Sequence, residues 1–390
     1  MTGERLQPQR LQHRRIVVKV GSNVLTGGEE GLHTPTVAAI ATQVAGLVQR
    51  GGQVALVTSG AVAAGRHRLR EVEALRDGGG AKAAPRDIQS RQVAAAVGQS
   101  RLMTLWDALF AEAGVAVGQA LLTRHDLADR LGYLNARNTL LAMLDLGVVP
   151  VINENDVVSV EELQDARIGD NDNLSAQVAN LVDADLLLLL TDIAGLYTTD
   201  PRRDPEARLI ERVERIDASI EAAAAGGAGT RGTGGMMTKV QAARIATGGG
   251  AHVVIADGRS RDIVLRAAAG EPVGTHFLPA GDRMESRRRY LLSGLQARGR
   301  VVVDAGAAGA LLRGGNSLLP AGVLRCEGAF QRGDVVRVVT AEGRHLASGT
   351  ANYASDEVAR IAGKQSGQIA ELLGYEFGEE VIHRNNLVLV

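Results

Sequence analysis

Over the first two-thirds of this chain, short β-rich and mainly apolar runs alternate with longer stretches in which apolar residues recur at helical spacing. The runs Ile16 to Val20, Val54 to Thr58, Val115 to Gln119, Val148 to Asn153, Leu186 to Thr191 and His252 to Ala256 predict strands. Between them, Thr36 to Arg50, Arg91 to Ala113, Leu134 to Leu146, Asn173 to Val182 and Thr238 to Thr247 predict helices. Strands that are apolar throughout, rather than alternating, are those buried on both faces. The pattern therefore predicts an α/β fold, an α/β/α sandwich around a mostly parallel sheet. Ligands of such sheets bind beyond the carboxyl ends of the strands, so the residues just after each run carry the most information.

Polar chemistry gathers at those ends. Lys19-Val20-Gly21-Ser22-Asn23 closes the first strand, Thr58-Ser59-Gly60-Ala61 the second, and Asn153-Glu154-Asn155-Asp156 the fourth. Gly169 to Asn173 reads as a loop leading into a helix, and Thr191-Asp192 ends the Leu-rich strand. The last such segment, GTGGMMTK from Gly232 to Lys239, sets glycines, a hydroxyl and a lysine at a helix start. Glycines let the backbone approach an anion closely, and the free N–H groups of a helix start favour negative charge. The string matches neither of the two commonest nucleotide fingerprints, so a less common nucleotide fold is expected. Each segment alone has an ordinary reading as a helix cap, a turn or a surface loop. Six together, at strand ends and helix starts, point to a phosphate-handling site.

A length of 390 residues suggests two domains. With 43 Lys and Arg against 44 Asp and Glu, nothing in the total charge indicates a nucleic-acid-coating or membrane-surface protein. The single cysteine, Cys326, excludes an intrachain disulfide and any multi-cysteine zinc site, and its flanking residues suggest an inert thiol in a buried strand. The longest apolar run, Leu186 to Leu190, is far short of a membrane span, and a cytoplasmic protein is expected.

The series KVGSNVLTGG, VTSGAVAAG, VINENDVV, IGDNDNLSA, LLTDIAGLYTTDPR and GTGGMMTK resembles the bacterial glutamate 5-kinases of the amino-acid kinase superfamily, in order from about Arg15 to about Leu278. Beyond it the composition changes: residues 282–300 hold six arginines against two acids, and short strands with Gly-rich turns then resemble a PUA domain. The implied boundaries are an N-terminal extension 1–14, an amino-acid kinase domain 15–278, a linker 279–297, and a PUA domain with C-terminal tail 298–390. The implied activity is transfer of the γ-phosphoryl group of ATP to the side-chain carboxylate of L-glutamate, with Mg²⁺, as the first step of proline biosynthesis. By the same resemblance, Lys19 and Lys239 reach the phosphates and Asp172 orients both. Ser59, Asn153, Asp156 and Asn171 hold the amino acid, while Thr191, Asp192, Thr233, Gly234, Gly235, Met236, Met237, Thr238 and Lys239 contact the nucleotide. No protein ligand is assigned to the metal, which commonly rides on nucleotide phosphates.

The resemblance also implies feedback inhibition by proline, a glutamyl phosphate reductase as partner, and a homo-oligomer. Two segments are longer than the family pattern. Residues 70–90, rich in Gly, Ala and Pro, read as a mobile insertion, and Ser159 to Arg167 lies beside the expected glutamate pocket. From Leu295 to Val390, ten basic residues balance ten acidic ones, and the aromatics are Phe330, Tyr353, Tyr375 and Phe377. Nucleic-acid binding is therefore not expected of this region, and a structural or regulatory role is. Two alternatives stay open: a relative acting on another carboxylate, carbamate or nucleotide, and an RNA-binding or regulatory protein whose kinase domain has become a sensor.

Overall fold

The structure, a computed structural model, describes residues 11–28, 30–77, 88–158, 170–226, 235–280 and 297–390. These divide into two compact units, Met1–Ala128 with Ala136–Gly281, and Asp129–Asn135 with Asp282–Val390.

In the first unit the chain runs β1 (Arg15–Val20), α1 (Ser22–Thr26), α2 (Thr34–Gln49), β2 (Gln53–Thr58), α3 (Ala61–Asp77) and α4 (Ile88–Glu112). It continues through β3 (Val117–Leu122), α5 (Arg124–Ala128), α6 (Arg130–Asp145, of which the residues up to Asn135 group with the second unit), β4 (Val149–Glu154), α7 (Asp170–Leu181) and β5 (Leu186–Thr191). Then come β6 (Arg212–Val213), α8 (Ala218–Ala224), α9 (Gly235–Gly248), β7 (His252–Asp257), α10 (Ile263–Ala268) and β8 (Thr275–Phe277). Eight strands form one sheet in the order β3-β4-β2-β1-β5-β7-β8-β6, parallel at each of those neighbouring pairs except β7 against β8. The predicted α/β sandwich is thus present.

Alternation along β1 explains how the sheet is covered. Ile16, Val18 and Val20 point into a core shared with α2, α4 and α10. Lys19 faces the other way, toward the layer in which α7 packs on β1 and α9 packs on α7. In the first core Trp106 is fully buried, tilted against Phe110, and donates its indole N–H to Thr58 Oγ1 at 3.2 Å. Truncating such a residue to alanine costs about 3–5 kcal/mol.

Helices α3 and α4 meet backbone to backbone. A Cβ on Gly65 would lie 1.7 Å from the Ala94 carbonyl oxygen, and one on Gly98 would lie 1.8 Å from that of Ala61. Only glycine permits this approach. Of the segment 70–90 read as a mobile insertion, residues 70–77 belong to α3 and 88–90 to α4, while 78–87 lie outside the described residues.

Two further expectations shift. The third strand is Val117–Leu122, not Val115 to Gln119. The Asp-Asn segment is no loop, since α7 begins at Asp170, so Asn171 and Asp172 lie in its first turn. At the far end of α7, Arg137 donates to the Leu181 carbonyl and Arg15 to that of Val182 at 2.7 Å, placing cations where the helix dipole favours them.

The second unit contains β9 (Gly299–Val303), α11 (Ala305–Leu312), β10 (Val323–Glu327), β11 (Val335–Thr340), β12 (His345–Thr350), α12 (Ser355–Ile361), α13 (Ile369–Leu373) and β13 (Leu387–Leu389). Its five-stranded sheet has the order β10-β9-β11-β12-β13, antiparallel except for β9 beside β11. Phe330, Tyr353, Val336, Val338 and Ile369 anchor its core. Cys326 lies on a half-exposed strand rather than a buried one; its thiol contacts the Ser355 carbonyl at 3.1 Å, and partial burial pushes its pKa up. Among the described residues, no helix is long and apolar enough to cross a membrane.

Candidate active site

Parallel strands release their last residues at one edge, and here that edge borders a cleft of about 880 Å³. The chain leaves β1 toward β2 on one side, while β5 and β7 lie on the other, so β1 and β5 flank a topological switch point. Gly21, next after β1, donates its N–H to the Leu190 carbonyl at 3.1 Å and keeps the strand ends together.

Lys19, Asp172 and Lys239 meet at the centre. Lys19 Nζ lies 2.6 Å from Asp172 Oδ1, and Lys239 Nζ lies 3.1 Å from Oδ2. Thr238 Oγ1 also donates to Oδ2, at 2.7 Å, and Lys239 Nζ donates to the Gly235 carbonyl at 3.0 Å. The three charged groups are 5%, 1% and 9% exposed in chain order. Burial raises the Asp172 carboxyl, but the two ammonium groups and the hydrogen bonds from Lys19 and Thr238 outweigh it and hold the pKa at about 2. Burial lowers the Lys19 ammonium, with Asp172 opposing and Lys239 adding to the fall. Two cations over one carboxylate leave one uncompensated positive charge, which suits an anionic ligand with several negative oxygens.

On the β2 and β4 side lies a polar pocket. Asn171 Nδ2 donates to Ser59 Oγ and to Asn153 Oδ1, each at 3.1 Å, and Asn153 Nδ2 donates to Gln99 Oε1 at 2.8 Å. Asn171 Oδ1 is buried with no hydrogen-bond partner among the described residues, an unmet acceptor beside the cleft. Burial, reinforced by the Glu154 charge and opposed by Arg91, pushes the Asp156 carboxyl up to about 6. A carboxylate so placed gains most from an incoming cation.

On the β5 side, Asp192 accepts from Asn23 Nδ2 at 3.1 Å, and its backbone carbonyl accepts from Arg259 at 2.6 Å. Burial raises the Asp192 carboxyl, yet hydrogen bonds led by that from Asn23 bring it below its usual range. Thr191, Asp192, Gly235, Met236, Thr238 and Lys239 line the cleft with the residues already named. Met237 does not. Thr233, Gly234 and the segment Ser159 to Arg167 lie outside the described residues.

Sequence reasoning gave no role to Arg66, Arg91 and Arg203, which also line the cleft, or to Gln99 behind Asn153; Asn23, Tyr197 and Arg202, likewise in the lining, lay within the segments singled out but had no role assigned. Arg66 directly follows the VTSGAVAAG motif and Arg91 lies near the start of α4, but nothing in the surrounding polar pattern distinguishes a cleft-facing arginine from a solvated one.

Residues 14–257 match the model of the amino acid kinase family, and residues 299–373 match that of the PUA domain. A glutamate 5-kinase of Dehalococcoides mccartyi strain 195 is 49% identical over 378 residues, spanning 97% of this chain and 99% of that protein. Those of Herpetosiphon aurantiacus and Vibrio vulnificus are each 48% identical, over 96% and 97% of this chain and 98% and 97% of their own lengths. With a buried lysine-aspartate-lysine junction at the switch point of a mostly parallel sheet, and relatives matching from end to end, the chain belongs to the glutamate 5-kinase family of amino acid kinases.

Proposed function

We propose that the protein transfers the γ-phosphoryl group of ATP to the side-chain carboxylate of L-glutamate, forming L-glutamyl 5-phosphate and ADP. The observation that carries this reading is the junction of Lys19, Asp172 and Lys239 between a polar side of the cleft lined by Ser59, Asn153, Asp156 and Asn171 and a second set of strand ends. A γ-carboxylate is ionised at pH 7 and needs no general base. The obstacle is repulsion between two anions brought in line, and catalysis of phosphoryl transfer rests mainly on positioning and charge neutralisation.

The chain's residues divide that task. Lys19, from β1, meets the transferring group from the acceptor side, and Lys239, from α9, meets it from the nucleotide side. Asp172 fixes both ammonium groups so that neither must be ordered during reaction. Asp156 receives the α-ammonium, Asn171 and Asn153 shape the pocket, and Ser59 offers a hydroxyl to a carboxylate. Thr191, Asp192 and the start of α9 hold the nucleotide. The excess positive charge fits a polyphosphate; Mg²⁺ carried on the phosphate oxygens would neutralise the remainder.

The family name places the reaction in proline biosynthesis, and inhibition by proline belongs to the proposal, as do a homo-oligomeric state and a cytoplasmic location. An acyl phosphate hydrolyses readily, so a reductase that takes it directly is the expected partner. The balanced charge of the C-terminal unit supports a structural or regulatory role over RNA binding.

Hydroxylamine trapping tests the core of this. With ATP and Mg²⁺, hydroxamate should form from glutamate and not from aspartate or N-acetylglutamate. Formation from either of the latter would move the assignment to another branch, and silence with all three would end the kinase reading.

A further inference from the structure

We infer that Arg66 is the specificity-determining residue for the acceptor's α-carboxylate, the feature that separates an amino diacid from a simple ω-amino acid. This rests on the acceptor assignment proposed above.

The acceptor carries three charges, and geometry distributes them. Its reacting carboxylate must lie at Lys19, at the end of β1. The ammonium goes to Asp156, beyond β4. The remaining carboxylate then falls on the β2 and β4 side of the cleft, away from β5. Neighbouring strands are ~4.8 Å apart, comparable with the separation of the two carboxyl groups in an extended five-carbon diacid.

The cations lining the cleft can be sorted by position. Lys19 and Lys239 are committed to Asp172. Arg202 and Arg203 follow β5, on the nucleotide side, where they pair with Asp192 and Asp200. Arg91 acts on Asp156. Arg66 is left: it stands on α3, which begins two residues after Ser59, is half-buried, and forms no ion pair or hydrogen bond among the described residues. It shares the cleft-lining face of the helix with Val62 and Ala63.

That face is not free to rotate. Gly65, its neighbour, sits against the Ala94 backbone, and Gly98 against that of Ala61, so α3 is locked to α4 at the turn that carries Arg66. A guanidinium carried on so fixed a helix face, with open donors in a fork geometry, is suited to take a carboxylate in two hydrogen bonds.

The test compares glutamate with its α-amide, isoglutamine, which keeps the reacting carboxylate and the ammonium but replaces the α-carboxylate by a neutral amide. Hydroxamate formation is followed in wild type, Arg66→Gln and Arg66→Lys. Wild type should prefer glutamate by roughly 10- to 100-fold in kcat/KM, as expected for a charge-assisted pair. Arg66→Gln should raise KM for glutamate by a similar factor with little change in kcat, leave the isoglutamine constants alone, and so abolish the preference. Arg66→Lys should recover part of it. The inference is overturned if Arg66→Gln weakens both acceptors equally, if it lowers kcat at unchanged KM, or if wild type itself does not discriminate; the last comparison stands even should a variant fail to fold. Failure of wild type to form hydroxamate from glutamate would instead overturn the acceptor assignment.

Discussion

Replacing Asp172 by asparagine preserves the shape of the buried junction and removes its carboxylate. At an effective dielectric near 20, the ammonium groups at 2.6 and 3.1 Å give gross attractions of roughly 6 and 5 kcal/mol. Desolvation of all three groups cancels much of this, but losing one partner leaves the others buried and unopposed. The cheapest escape is for one lysine to shed its proton on folding. From a free pKa of ~10.4, that costs about 1.4 kcal/mol per pH unit, or ~4–5 kcal/mol at pH 7. A deficit of about 3–5 kcal/mol relative to wild type is therefore expected. Its pH dependence is diagnostic. A lysine whose folded pKa has dropped binds fewer protons folded than unfolded, so the variant gains stability with rising pH, and the deficit should shrink by about 1.4 kcal/mol per unit from pH 7 toward 9. The wild-type carboxylate acts in a different window: held at about 2 against 3.8 unfolded, it contributes stability above pH ~4 that is lost as pH falls through 2. Calorimetric unfolding of the unit containing α7 at pH 7, 8 and 9 reads the deficit, and hydroxamate formation should fall by about 10²–10³. Wild-type turnover, or a deficit that stays constant across this range, would refute the reasoning.

Other expectations follow from the same geometry. Lys19→Ala and Lys239→Ala should each lower turnover by about 10²–10³, as for loss of one preorganised donor, and normal rates in either would contradict the assigned roles. Because Asp156 titrates at about 6 in the free protein, KM for glutamate should climb about tenfold per unit below that pH while kcat holds, and Asp156→Asn should flatten the profile; a wild-type KM independent of pH between 5 and 7 would remove Asp156 as the ammonium partner. Gly65→Ala must push its new methyl into the Ala94 backbone, so a loss of about 3 kcal/mol or more in thermal unfolding is expected, and a change under about 0.5 kcal/mol would show that α3 and α4 can part cheaply.

The parallel sheet was legible because β1, β2, β4 and β5 are almost wholly apolar, as strands covered on both faces must be. The edge strand β3 was misplaced for the opposite reason: Val117 to Leu122 alternates between half-buried and exposed positions and leaves no continuous apolar run. β8 escaped notice because three residues carry too little pattern, and its antiparallel direction is set by pairing with β7. The cleft residues at strand ends were readable as a class, since an α/β sheet concentrates its chemistry there. Their pairing was not, because Lys19, Asp172 and Lys239 lie far apart in sequence and meet through the packing of α7 on β1 and of α9 on α7. Asp172 read as a loop residue since an acidic, asparagine-rich string favours turns, whereas the cations gathered around its side chain make it a good first-turn helix residue.

Trp106 is the chain's one tryptophan, buried beneath β2 with its indole bonded to Thr58, immediately before Ser59. Fluorescence excited selectively in indole therefore sees the first unit and is blind to the second, whose tyrosines are Tyr133, Tyr290, Tyr353 and Tyr375. Loss of packing in the first unit can thus be followed by indole emission in the intact protein, and an acceptor that shifts the Ser59 loop has a built-in spectroscopic reporter one residue away.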